Sequence, residues 1–198
     1  MDRLVLFNKP YRVLSERAGE PAQPTVADYI PIPGLDPAGR LDFDSEGLVV
    51  LTSAGWLQHT VIHPRHALFK VYWVQVEGQP SDDALRQLAE GIDLKDGRTR
   101  PAGVERIDPP AAWPRTPPVQ ERADLPSSWL RITLTEGRKR QIRRMTASVG
   151  HPTLRLIRVA VGPWQIRNLR PGQWREMPCP ANLAEFWKMV GETRAVRP

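Results

Sequence analysis

The chain has 198 residues, which suits one large domain or two small subdomains. Its single cysteine, Cys179, excludes an internal disulfide and a thiolate metal site, and it favours a reducing cytoplasm. The N-terminal apolar run, Leu4–Phe7, is too short for a signal peptide, and no later run could span a membrane. The net charge is +6, yet residues 136–175 carry ten Arg and Lys and only one acid, Glu136. We expect these residues to form one basic surface for a polyanionic partner.

The first elements in chain order are predicted to be strands and one short helix. Leu4–Phe7 is read as a strand, and Thr25 can cap a helix over Val26–Ile30 that the next proline ends. A proline-rich loop then leads to the segment GRLDFDSEG, residues 39–47. The apolar, β-branched LVVLT that follows, residues 48–52, predicts a buried strand.

The middle of the chain carries the clearest local signals. Residues 70–77, KVYWVQVE, alternate as a strand does, and Tyr72 shares one face with two valines. SDDALRQLAEG predicts a helix with Ser81 as N-cap and Gly91 as its end. IDLKDGRTRPAGVERI indicates two short strands around KDGR, and the six prolines of residues 109–126 predict a stiff connector between two subdomains.

The last third continues with strands and two helices. WLRITLTEG, TLRLIRVAVG and NLRPGQWREM each predict a strand, and GRKRQIRRMTASVG predicts a basic turn and a helix that Gly150 ends. LAEFWKMV predicts a terminal helix before a frayed end, ETRAVRP. Several strands with few helices indicate the α+β class with a mixed, mostly antiparallel sheet. We expect a catalytic domain over residues 1–180, followed by the helix and a basic tail over residues 181–198.

The segment GRLDFDSEG has three interpretations: a calcium loop, a turn, or a catalytic carboxylate. Asp42 and Asp44 match the start of an EF-hand loop. That loop needs a bidentate glutamate at its twelfth position, where this chain has Ser53, and its later ligand positions fall on the apolar Leu48–Leu51. Calcium is therefore disfavoured.

Other metal and nucleophile sites are also disfavoured. His59 and His63 have a helical ligand spacing, and His66 is close to them. The intervening residues provide no glutamate base, and Pro64 ends any helix there. The sequence also lacks the G-x-S-x-G elbow of hydrolases and the glycine-rich loops that bind phosphates.

The remaining interpretations of Asp42 are a turn before a strand and a catalytic carboxylate. Arg40 precedes Asp42 by two residues, and a neighbouring guanidinium keeps a carboxylate ionised. An ionised carboxylate can act as a nucleophile or a base.

Three blocks in order then carry a family resemblance. GRLDFDSEGLVVLTSAG, KVYWVQVEG and EGRKRQIRRMTASVGHPTLRLIR resemble the signatures of the bacterial rRNA pseudouridine synthases of the small-subunit synthase A type. NKP near the start and PGQWREM near the end also fit, so the resemblance covers about residues 4–178. It implies the pseudouridine synthase catalytic fold and isomerisation of uridine to pseudouridine without cofactor or metal. Many members carry an N-terminal S4 RNA-binding domain, and we expect none here.

The resemblance also implies site residues. Asp42 would be the catalytic nucleophile or base, and Arg40 would take the place of the extruded uridine in the RNA stack. Tyr72 would stack on the flipped base, Ile142 would pack against the uracil, and Arg143 would pair with the catalytic carboxylate. The implied RNA backbone contacts are Arg138, Lys139, Arg140 and Arg144.

Within the family, PAGRLDFDSEG, KDGRTRPAG and WPRTPPVQER are most similar to members that modify 23S rRNA in the peptidyl-transferase region. The implied partner is this RNA, either naked or within an assembling large subunit, and a monomeric cytoplasmic protein is expected. One alternative is the same chemistry on 16S rRNA or tRNA. Another is a non-catalytic RNA-binding assembly factor. The role of the WPRTPP loop stays open.

Overall fold

The computed structural model describes residues 2–19 and 23–195, which fall into two compact units. The first unit comprises residues 1–68 and 159–198, and the second comprises residues 69–158. The strands are β1 Leu4–Lys9, β2 Asp36–Pro37, β3 Glu46–Thr52, β4 Lys70–Glu77, β5 Asp93–Leu94, β6 Gly97–Arg98, β7 Gly103–Ile107, β8 Ser127–Leu134, β9 Thr153–Val161, β10 Trp164–Gln165 and β11 Trp174–Met177. The α-helices are α1 Gly55–Ile62, α2 Asp82–Glu90, α3 Gln141–Ser148 and α4 Leu183–Ala195.

In the first unit, β1 lies between β11 and β3 and is antiparallel to both. Leu4 is opposite Met177 on one side and Thr52 on the other, and the pairing with β3 runs to Lys9 opposite Gly47. Every residue of β1 and β3 is buried, as their continuous apolar runs predict. The buried runs also include polar residues, of which Asn8, Lys9 and Glu46 lie at the end of the strand pair beside the segment that contains Asp42.

In the second unit, β8 lies between β4 and β7, again with antiparallel pairing. Leu130, Ile132 and Leu134 of β8 are buried, which confirms the face predicted from their alternation. Tyr72 lies opposite Ile132 and is buried with its two valine neighbours, so its inward direction is confirmed as well. Strands β5 and β6 form a separate short hairpin.

These strand pairs, with four α-helices among the described residues, confirm the predicted α+β class and the mostly antiparallel sheet. Residues 109–126 lie inside the second unit and hold no helix or strand. The division into a domain over residues 1–180 and a C-terminal segment stays a prediction. Among the described residues, no helix is both long enough and apolar enough to cross a membrane.

Helix α2 has the predicted ends, because both of its end signals are local. Ser81 Oγ accepts a hydrogen bond from Ala84 N at 3.2 Å, and Gly91 ends the helix with a φ of 103°. Thr25 caps a single 3-10 turn over Val26–Asp28, which is shorter than the predicted helix. The predicted frayed end is wrong as far as Ala195, which α4 reaches, and residues 196–198 lie outside the described part.

Helix α1 was not predicted. Its sequence ends in three β-branched residues, Thr60, Val61 and Ile62, which favour strands, and Ala54 gives it no side-chain cap. The helix forms because Leu57 and Val61 are buried on one side of it, which is a tertiary effect.

Candidate active site

Asp42 opens a tight turn that leads directly into β3. Ser45 N donates to Asp42 O at 3.0 Å, and the Asp42 side chain is half-buried. The preceding residue is fixed twice, because Ser15 Oγ donates to Leu41 O at 2.8 Å and Leu41 N donates back to Ser15 Oγ at 2.9 Å. The turn interpretation is therefore confirmed as geometry. A turn whose backbone is held by hydrogen bonds also limits the positions that a reactive carboxylate can take.

A buried lysine, which the sequence analysis left without a role, supports this turn. Lys9 is fully buried at the end of β1, and its Nζ donates to Pro10 O at 2.9 Å and to Val13 O at 2.8 Å. The segment held in this way donates from Arg12 N to Phe43 O, inside the turn, at 2.9 Å. The signal in the sequence was a lysine at the end of an apolar strand. If such a lysine is buried, its ammonium group must have hydrogen-bond acceptors nearby.

Arg40 lies on the surface of the first unit. Its side chain is 69% exposed, and Nη1 donates to Glu16 Oε1 at 2.6 Å. An ion pair with this exposure contributes little to stability, at most about 1 kcal/mol. Arg40 can therefore leave Glu16 at low cost.

The possible calcium loop and the histidine cluster each have a defined geometry. Leu48–Leu51 is buried within β3 and cannot line a calcium loop. His59, His63 and His66 do come together, with ring centroids 4.8–6.4 Å apart, but ring nitrogens of the last two accept from Arg65 N and Arg65 Nε. No group of three His, Cys, Asp or Glu side chains within residues 2–19 and 23–195 has a geometry that could hold a metal ion.

Three predicted site residues lie in the second unit. Tyr72 is buried on β4, and Ile142 is buried in the first turn of α3. Arg143 follows it, half-buried, and donates from Nη1 to Thr153 O at 3.3 Å. Asp42 and Arg40 belong to the first unit, so the predicted site residues come from both units.

The basic segment, defined as residues 138–144, holds the four predicted phosphate contacts. Lys139 and Arg140 are exposed to solvent. Arg138 and Arg144 are only partly exposed, and their guanidinium groups already donate hydrogen bonds to the hairpin β5–β6. The four residues therefore form an exposed pair and a pair that is bonded to the hairpin, and the sequence does not distinguish the two pairs.

The prediction that residues 136–175 form one basic surface is wrong for two of their arginines. Arg155 and Arg158 are 6% and 2% exposed. Arg155 Nη2 donates to Trp113 O at 2.9 Å, so it holds the proline-rich loop from inside the second unit.

Burial, with a smaller effect of the Arg158 charge, lowers the pKa of Lys70 to about 8.

Comparison with known proteins identifies the family. The sequence profile described as RNA pseudouridylate synthase matches residues 3–148. The chain is 50% identical over 198 residues to ribosomal large subunit pseudouridine synthase E of Xanthomonas campestris pv. campestris, covering 98% of each chain. It is 51% identical over 175 residues to the protein of the same name from Vibrio parahaemolyticus, covering 88% of this chain and 74% of the relative.

A solved structure described as a pseudouridylate synthase superposes with a TM-score of 0.76 at 27% identity, covering 96% of this chain and 74% of the other. These findings confirm the resemblance carried by the three sequence blocks, and the fold agrees with it. This chain belongs to the RNA pseudouridylate synthase family and is a pseudouridine synthase, an isomerase that acts on RNA.

Proposed function

We propose that this enzyme converts a uridine of 23S rRNA, in the peptidyl-transferase region, to pseudouridine. One observation carries the proposal: 50% identity to a ribosomal large subunit pseudouridine synthase E over 98% of both chains. A match of this coverage includes the loops as well as the core, and loops carry much of the specificity of an enzyme. The substrate is this RNA, either naked or within an assembling large subunit, and the enzyme acts as a cytoplasmic monomer.

The proposed reaction is redox-neutral. The C1′–N1 glycosidic bond breaks, the uracil turns, C5 bonds to C1′, the hydrogen on C5 leaves as a proton, and N1 gains a proton. Asp42 promotes the cleavage, either by attacking C1′ or by removing the C2′ proton, and both routes use the ionised carboxylate. The pinned turn that carries Asp42 supports this role, because it limits the positions that the carboxylate can take.

The other site residues act on a uridine that has left its stack. Extrusion of a base costs a few kcal/mol, and Arg40 offsets part of this cost by filling the gap in the RNA. The exposure of Arg40 and its surface pair with Glu16 support this role, since breaking an ion pair of this exposure costs little. Tyr72 stacks on the flipped base, Ile142 packs against it, and Arg143 orients the catalytic carboxylate.

Phosphate contacts supply affinity that does not depend on sequence. Lys139 and Arg140 are the two exposed candidates in the basic segment. Each phosphate contact adds about 0.7 to 0.9 to the slope of log affinity against log salt. The same role for Arg138 and Arg144 remains a prediction from the family resemblance, and their contacts favour a different one, which is developed below.

The test is tritium release from a 23S rRNA transcript that covers the peptidyl-transferase region and carries 5-tritiated uridine. Formation of the C5–C1′ bond releases the label, so release reports the chemistry directly. We expect release by the wild type and none by Asp42→Asn, with RNA affinity within about threefold because only the reactive charge is lost. Asp44→Asn is the matched control, since Asp44 lies two residues away in the same turn and should retain turnover.

Release by Asp42→Asn would exclude Asp42 as the catalytic carboxylate. Release from 16S rRNA or tRNA but not from 23S rRNA would support the proposed chemistry and contradict the proposed substrate. Tight binding without release from any of these RNAs would favour the assembly-factor alternative or a substrate that exists only in an assembling subunit.

A further inference from the structure

The hairpin β5–β6 is attached to the basic segment by a shared aspartate. Arg144 donates to both carboxylate oxygens of Asp96, with Nη1–Oδ1 at 2.7 Å and Nη2–Oδ2 at 3.1 Å. Arg138 Nη1 lies 3.8 Å from the same Oδ1. Asp96 is in the turn of the hairpin, 48 residues before Arg144 in sequence, so this contact closes a long loop.

Arg138 binds the backbone of the same turn. Its Nη1 donates to Gly97 O at 2.8 Å and to Asp96 O at 3.3 Å, and its Nη2 donates to Arg98 O at 2.7 Å. Nη2 also lies 3.3 Å from Glu136 Oε2. A guanidinium has five N–H donors in a fixed fork, and here the outer nitrogens are directed at three carbonyls and two carboxylates.

Glu136 fixes Arg138 from the other side. It is the one acid of residues 136–175 and is buried. Its Oε1 accepts from Arg100 N at 2.9 Å and from Gln141 Nε2 at 2.7 Å. Gln141 Oε1 in turn accepts from Arg138 N at 3.0 Å. The anchor is therefore a connected network, and such networks hold one arrangement better than single contacts do.

The charges favour this internal role over phosphate contact. The Arg138 and Arg144 side chains are only 24% and 33% exposed, and each already donates charge-assisted hydrogen bonds. Arg144 also lies in the first turn of α3, where the helix dipole disfavours a positive charge unless an anion is near. A phosphate that takes the Nη1–Nη2 edge of Arg144 has to displace Asp96.

We propose that Asp96 is a positioning residue that clamps the hairpin β5–β6 onto the basic segment. Arg138 and Arg144 are then anchors of the hairpin instead of phosphate contacts, and the exposed Lys95 in the hairpin turn meets the RNA backbone together with Lys139. The part of Lys95 in RNA binding rests on the proposed function, whereas the clamp concerns the free protein alone.

Asp96→Asn and Asp93→Asn make a matched pair for the test. Each removes one negative charge from the same hairpin, so each changes the long-range attraction of RNA equally. Asp93 pairs with Arg98 on the exposed side, at 2.9 Å, and not with the basic segment. Amide hydrogen exchange of residues 93–98 in the free protein measures how easily the hairpin opens locally. The dependence of RNA affinity on salt, together with kcat and KM, measures the effect of that opening on binding and turnover.

For Asp96→Asn we expect exchange of the hairpin amides to be about tenfold faster or more, since local opening becomes easier. RNA affinity should fall about five- to tenfold, with kcat changed less than about twofold, because a contact is mispositioned and the chemistry is untouched. Asp93→Asn should stay within about twofold of the wild type in all three quantities. Lys95→Ala should reduce the salt slope by about 0.7 to 0.9 and leave exchange unchanged.

The proposal would be overturned if Asp96→Asn bound RNA more tightly than Asp93→Asn, with a salt slope that corresponds to one or two additional phosphate contacts. The freed arginines would then be binding phosphates. Unchanged exchange in Asp96→Asn would overturn the clamp itself. Absence of pseudouridine from a 23S transcript treated with wild type would refute naked 23S rRNA as the substrate, and the exchange experiment would still decide on the clamp.

Discussion

The buried ammonium group of Lys70 should make the folded chain more stable in mild alkali than at neutral pH. Lys70 is 8% exposed on β4, and burial, followed by the charge of Arg158, lowers its pKa from 10.5 to about 8. In the unfolded chain the lysine keeps its proton up to its ordinary pKa. Between about pH 8 and 10.5 the unfolded state therefore binds more protons, and the free energy of unfolding rises with pH.

The size of this effect follows from the pKa shift. Each pKa unit corresponds to about 1.4 kcal/mol, so the full window contributes roughly 3 kcal/mol. Urea unfolding of the wild type and of Lys70→Met between pH 7 and 10 isolates it. Methionine keeps much of the shape of lysine and has no proton to lose. The stability of Lys70→Met minus that of the wild type should fall across the window by up to about 3 kcal/mol, whatever its value at pH 7.

Lys188→Met is the control for this series, because it removes one positive charge from an exposed position of α4. Its stability should run parallel to that of the wild type at every pH. Parallel curves for Lys70→Met as well would refute the reasoning, since they would show that Lys70 is charged equally in the folded and unfolded states.

Two further predictions concern stability and catalysis. Phe186→Ala removes a fully buried ring of α4 whose centroid lies 5.6 Å from that of Trp164, and it should lower the free energy of unfolding by about 3–5 kcal/mol in urea. Leu183→Ala, at a 44% exposed position of the same helix, should cost less than about 0.5 kcal/mol. Arg143→Ala should abolish tritium release with little loss of RNA affinity, whereas Arg144→Ala should mainly weaken binding. Equal losses of affinity with normal turnover in both variants would contradict the roles assigned to these arginines.

The elements that could be predicted from the sequence are those with local signals. Strand β4 has the predicted bounds because its β-branched and aromatic residues favour an extended strand, and the structure buries both of its faces. Helix α2 has a capping serine and a terminal glycine. Helix α1 could not be predicted, since its local sequence favours a strand and only burial of Leu57 and Val61 makes it a helix.

The candidate site also has a part that the sequence predicts and a part that it does not. The sequence blocks around Asp42 and Arg143 were sufficient to identify the family, because the residue types and spacings of these blocks are specific. The support for the Asp42 turn was not visible, since Ser15 Oγ reaches Leu41 O across 26 positions of sequence, and Lys9 acts through the segment whose Arg12 N donates to Phe43 O. A side-chain contact over such a distance leaves no periodic pattern in the chain.

The sequence by itself determined the family, the enzyme class and the number of charges in the basic stretch. Only the tertiary structure decided what each charge does. Arg155 and Arg158 are buried, Arg138 and Arg144 hold a hairpin, and Lys139 is exposed. Composition counts a positive charge identically in all of these settings. Its role depends on which acceptors the fold brings within about 3 Å, and that is a property of the folded chain.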